Sequence, residues 1–114
     1  MFFFAGGASP RFLIQKRKMT KNKVILEQVE LEMDRQERLW GVQNHNPFYW
    51  QSVLLEEIGE AAQSINDAYI LKDSDKFNSY REELIQAAAV IVQMVASLDR
   101  NKDAYIKRFK SNKN

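Results

Sequence analysis

The sequence predicts an all-α fold: an antiparallel helical bundle of three long helices plus a short C-terminal helix, completed by oligomerisation. Three observations carry this expectation. Only four glycines and two prolines occur in 114 residues, and Pro10 and Pro47 both lie outside the long periodic stretches, so breakers are scarce where helices would run. Apolar residues recur at spacings of three and four along three long segments. Each resulting stripe is about 100° wide or more, which three helices in a chain this short do not satisfy among themselves.

The first helix is expected from Lys23 to Trp40, where Val24, Ile25, Gln28, Val29, Glu32, Arg35, Gln36 and Leu39 form one partly polar stripe. It ends near Gly41. In the connection "GVQNHNP", Asn46 suits an N-cap and Pro47 the first helical position, where its missing N–H costs nothing. The second helix therefore starts at Pro47 and continues to about Ile70. The "KDSD" cluster breaks the pattern and offers Ser74 or Asp75 as the next cap, so the third helix is expected from about Asp75 to Asp99. "DAYIKRF" reads as the short fourth helix.

The segment "MFFFAGGASPRFLIQKRK" opens on an apolar cluster with no preceding basic region, too short to span a bilayer. It does not read as a signal peptide. Residues 1–18 are expected to be a flexible leader and residues 19–114 a single helical domain. Seventeen basic and fifteen acidic residues leave a net charge of +2, which implies neither a nucleic acid polymer nor a membrane as partner. The absence of cysteine excludes a disulfide framework and thiolate metal sites, and points to a cytoplasmic setting.

The stretch "LLEEIGEAAQ" places Glu56, Glu57 and Glu60 inside the second helix. With Glu57 at zero, Trp50, Leu54, Ile58, Ala61, Ile65 and Ala68 fall at about 20–100°, and Glu60 at about 300° on the other side of Glu57. Glu57 and Glu60 thus border the apolar stripe, and Glu56, at about 260°, faces further out. The third helix repeats this: with Glu83 at zero, Tyr80, Leu84, Ala87, Ala88, Ile91, Val95 and Leu98 spread over about 40–140° and Gln86 lies at about 300°. Antiparallel packing of the two helices brings these polar pairs together. Three crowded carboxylates carry a desolvation and repulsion penalty that a divalent cation offsets, and an all-oxygen set selects a hard ion, Mg²⁺ or Mn²⁺. The alternative is a solvated acidic face, which is what most Glu-rich helices present. A di-iron carboxylate centre needs Glu-x-x-His on two helices, and the single histidine, His45, lies in the connection.

"EEIGEAAQ" followed by "EELIQAAAV" resembles the EExxE…ExxD signature of the all-α, MazG-like NTP pyrophosphohydrolases. "LWGVQNHNPFYWQSVLLEE" is similar to the W-G-x-Q-x-H-x-P-x-x-W lead-in of a phage and bacterial subgroup of that superfamily. The likeness covers about Leu39 to Leu98. It implies hydrolysis of a nucleoside triphosphate to a monophosphate and pyrophosphate by a homodimer or tetramer, with Mg²⁺ or Mn²⁺ as cofactor. It also implies Glu57, Glu60 and Glu83 as metal ligands, Gln86 in the fourth place, and Glu56 as an auxiliary group. Glu56 and Glu57 are the catalytic candidates. Gln86 departs from the signature, which has Asp there; an amide oxygen ligates Mg²⁺ but brings no charge and cannot act as a base.

Gln36, Trp40, Gln43, His45 and Trp50 are the substrate-binding candidates. Trp40, Phe48, Tyr49 and Trp50 include possible stacking surfaces for a base, with burial in the core as the alternative for Trp50. Gln36 and Gln43 suit a base edge, His45 either substrate or the turn, and Arg81, Arg100 and Lys102 phosphates. The alternative to an enzyme is a non-catalytic helical oligomer or a nucleotide-binding protein that keeps the fold and has lost turnover through Gln86.

Overall fold

The computed structural model describes residues 22–111, so the expected leader lies outside the described residues. Three helices follow one another: α1 (Lys23–Trp40), α2 (Pro47–Ile70) and α3 (Lys76–Ser111). Among the described residues no helix is long and apolar enough to cross a membrane.

Each boundary has a local cause. Gly41 takes φ 74 and ψ −178, a conformation only glycine adopts without strain, and its N–H closes α1 on the Glu37 carbonyl at 2.7 Å. Asn46 caps α2 by accepting the Tyr49 N–H at 2.9 Å, and Pro47 follows in the first turn. At the far end the Asp73 N–H bonds the Ala68 carbonyl at 3.1 Å over a left-handed Lys72 with φ 53. This is a Schellman-type stop in which lysine occupies the usual glycine place. The side chain that braces the next turn is Asp73, which accepts the Asp75 N–H at 3.0 Å, rather than Ser74 or Asp75 as the sequence suggested.

The expected fourth helix does not form as a separate element, because α3 runs unbroken to Ser111. The polar run from Asp99 to Asp103 contains neither glycine nor proline, so nothing in it stops a helix. Asn101 instead folds its amide onto the Ser97 carbonyl one turn back, at 2.8 Å.

Helix α3 packs against both other helices, whereas α1 and α2 do not pack on each other. Gln28 meets Arg81 and Gln36 meets Gln93, so α1 runs parallel to α3. Helix α2 returns antiparallel, with Glu57 opposite Gln86 and Tyr69 against Phe77. The face that α3 buries carries small or slender side chains, three apolar and two polar: Ala87, Ala89, Val90, Gln93 and Ser97. Of the apolar stripe read from the sequence, only Ala87 is buried on that face. Leu84, Ile91, Val95 and Leu98 stay 43–54% exposed, because periodicity marks an apolar side without saying whether the chain itself covers it.

A buried amide chain fixes the register of α1 on α3. Gln93 donates to Gln36 Oε1 and to the Ala89 carbonyl, and Gln36 donates to Glu32 Oε2 at 2.7 Å. Gln93→Ala should destabilise by about 1–3 kcal/mol in urea unfolding, because Gln36 keeps a buried, unpaired oxygen. The double change Gln36→Leu with Gln93→Leu should cost less than the sum of the two single changes.

Candidate functional site

Because α1 and α2 diverge over α3, a cleft of about 370 Å³ opens between them. Arg35, Gln36 and Trp40 of α1 form one wall, and Tyr49, Trp50, Val53 and Glu57 of α2 the other. Gln86 and Val90 of α3 make the floor, and Gln43 closes the end at the α1–α2 connection. The volume falls in the range of small-molecule sites.

One end of the cleft is acidic. Glu57, Glu60 and Glu83 each offer a carboxylate oxygen, and these oxygens lie within 4.8 Å of one another. The antiparallel pairing of α2 with α3 brings the two edges together. Gln86 joins them: with its amide nitrogen turned inward it donates to Glu57 Oε2 and Glu83 Oε2, each at 3.2 Å. Turning the amide over presents its oxygen to the same place, where a cation would take it as a ligand. Glu56 is exposed, on the outward side of α2 next to Glu57.

The electrostatics record this crowding. Burial, then a hydrogen bond to Glu60 and the charges of Glu60 and Glu57, push Glu83 up to about 7. Glu57 is also raised, by burial first and then by repulsion from Glu60 and Glu56. Beside them on α1, Glu32 behaves oppositely: Arg35 grips it through two hydrogen bonds of 2.8 and 2.7 Å and lowers its pKa.

The other end is aromatic and amide-rich. Trp40 and Tyr49 are 62% and 55% exposed, so both rings keep free surface. Trp50 is buried at 3% exposure and forms the wall between this cleft and an apolar groove of about 360 Å³, bounded chiefly by Leu54, Ile91, Met94, Val95 and Leu98. Trp50 Nε1 and Ser97 Oγ are buried there without hydrogen-bond partners among the described residues. His45 belongs to the groove side, its ring 4.2 Å from Tyr49 and 4.9 Å from Trp50.

Of the substrate candidates, Gln36, Trp40, Gln43 and Trp50 line the cleft and His45 does not. Gln36 has both ends of its amide engaged, by Glu32 and Gln93. Arg81 is taken up by Gln28 at 2.6 Å and Arg100 by the α1–α2 connection. Sequence reasoning missed Arg35 and Glu32 as site residues. The signal was their i, i+3 spacing on a stripe otherwise bound for the core.

Comparison with family profiles, curated proteins and solved structures found no significant match. The reading of the site therefore rests on its geometry and chemistry.

The raised carboxyls give a pH dependence. Between the ordinary carboxylate range and about 7, folded Glu83 holds a proton that the unfolded chain has released. Stability therefore falls as pH rises through that window. In EDTA, the thermal midpoint should drop from pH 5 to pH 8, and Glu83→Gln should flatten that drop.

Proposed function

We propose that this chain is a metal-dependent nucleoside triphosphate pyrophosphohydrolase of the MazG-like type, cytoplasmic and working as a homodimer or a tetramer. The observation that carries the reading is the meeting, at Glu57, of a three-carboxylate cluster with a cleft of nucleotide size. Trp50 and Tyr49 stand seven and eight residues before Glu57 on α2, about 10–12 Å along the axis, a distance comparable to that from a nucleotide's phosphates to its base.

The donor set suits Mg²⁺ or Mn²⁺: oxygen ligands from Glu57, Glu60 and Glu83, with Gln86 able to add an amide oxygen. Such an ion, when bound, lowers the pKa of water and stabilises charge on phosphate oxygens. Net hydrolysis consumes one water and yields a nucleoside monophosphate and pyrophosphate. In this reading Glu57 accepts the proton that this water gives up, with exposed Glu56 beside it in sequence as the other candidate. Arg35, held by Glu32 on the cleft wall, offers a guanidinium to the polyphosphate. Trp40 and Tyr49 supply stacking surfaces, and Gln43 a free amide edge.

The oligomeric part of the proposal is supported by the uncovered apolar stripe of α3, joined by Ile58 at 47% exposure. Sedimentation of the full chain should give a dimer or a tetramer. A monomer at micromolar concentration would refute that part.

Pyrophosphate release from ribo- and deoxyribonucleoside triphosphates with Mg²⁺ and Mn²⁺ tests the activity. Glu57→Gln and Glu60→Gln should each lower turnover about 10²-fold or more and weaken Mn²⁺ binding in calorimetry. The competing reading, a fold that has lost turnover, draws on Gln86, whose amide can satisfy Glu57 and Glu83 without an ion. Gln86→Asp decides between them: an enzyme gains Mn²⁺-dependent thermal stability, whereas an ion-free assembly loses about 1–3 kcal/mol with and without Mn²⁺.

A further inference from the structure

The connection between α1 and α2, residues 41–46, has no regular secondary structure, yet Gln43 on it lines the cleft and Trp40 and Tyr49 flank it. Three consecutive residues of this connection are held by the last third of α3. Arg100 donates from Nη2 to the Gln43 carbonyl at 3.3 Å and from Nε to Asn44 Oδ1 at 3.0 Å. Asn101 donates to the same Asn44 oxygen at 3.1 Å. Tyr105 donates its hydroxyl to the His45 carbonyl at 3.1 Å.

We propose that Arg100, Asn101 and Tyr105 are positioning residues for the nucleoside end of the cleft. Arg100 lies behind Gln43, in the small cavity it shares with Met33, Glu37, Val42 and Gln93, so it acts on the cleft through the backbone it holds. With Gln43 carbonyl, Asn44 side chain and His45 carbonyl all tied, Gln43 is fixed between this cavity and the cleft, both of which it lines, and its side-chain amide makes no hydrogen bond among the described residues. Preorganisation of this kind lowers the ordering cost of binding. The clamp sits some four turns of α3 beyond Gln86, so it tunes nucleotide affinity without touching the carboxylates. It also accounts for the continuity of α3 through its polar run, since the side chains of that run make the ties.

The inference rests on the nucleotide reading of the cleft, and its test separates the two. Wild type, Arg100→Ala, Arg100→Lys and Tyr105→Phe are titrated in the full chain with Mn²⁺ alone. They are then titrated with α,β-imido ribo- and deoxyribonucleoside triphosphates in Mn²⁺. Arg100→Ala should weaken nucleotide binding about tenfold or more while leaving Mn²⁺ affinity unchanged. Lysine should restore part of the loss, and Tyr105→Phe should cost about two- to tenfold. In turnover the change should appear in KM and not in kcat. If Arg100→Ala fails to fold, Tyr105→Phe and Arg100→Lys carry the decision alone. Variants that bind nucleotide as tightly as a binding-competent wild type overturn the clamp and leave the proposed function standing. A wild type that binds Mn²⁺ but no nucleotide overturns both.

Discussion

Everything in this molecule depends on α3 serving two partners at once. Its buried face is built from Ala87, Ala89, Val90, Gln93 and Ser97, residues small or slender enough to let α1 and α2 both approach. Because the two approach different sides of that face and not each other, a gap is left between them over Gln86 and Val90. The cleft is thus a by-product of packing order. A larger side chain at Ala87 or Ala89 would push a helix away and deform wall and floor together.

The acidic end works against the stability of the chain that carries it. Glu57, Glu60 and Glu83 repel one another in a half-covered place, and protonation of Glu83 near neutrality is the ion-free way of relieving that repulsion. Arg35 stands on the cleft wall with its guanidinium held by Glu32 through two hydrogen bonds. The arrangement leaves negative potential concentrated at one end of the cleft and the Arg35–Glu32 ion pair at its side. Such a site suits a polyanion that brings a cation with it.

How legible all this was from the sequence varied with the kind of signal. The limits of α1 and α2 were plain because Gly41, Asn46 and Pro47 act locally, through φ, a side-chain cap and a missing N–H. The meeting of Glu57 with Glu83 was legible because helical period and antiparallel pairing suffice to place it. The continuity of α3 was not, since a run of five polar residues looks like a break when its tertiary partners are unseen. The covered face of α3 was misjudged for a related reason: apolar periodicity ranks sides by their affinity for any cover, and within this chain the side with the smaller residues is the one covered. Glu32 and Arg35 escaped notice because their place in the site depends on how α1 leans on α3.

The unbroken course of α3 also constrains how this protein can vary. Glu83 and Tyr105 stand on one rod, 22 residues or about 33 Å apart, with no hinge between them. Inserting or deleting a single residue between Gln86 and Arg100 would rotate one end against the other by about 100°, detaching either the carboxylate floor or the ties to Gln43, Asn44 and His45. Length changes that keep both ends in phase come only in near-whole turns, and each of those changes the separation of the two ends by about 5 Å. The segment between them is therefore held to its length as well as to the small side chains of its buried face. The connections at residues 41–46 and 71–75, by contrast, lie outside this rod.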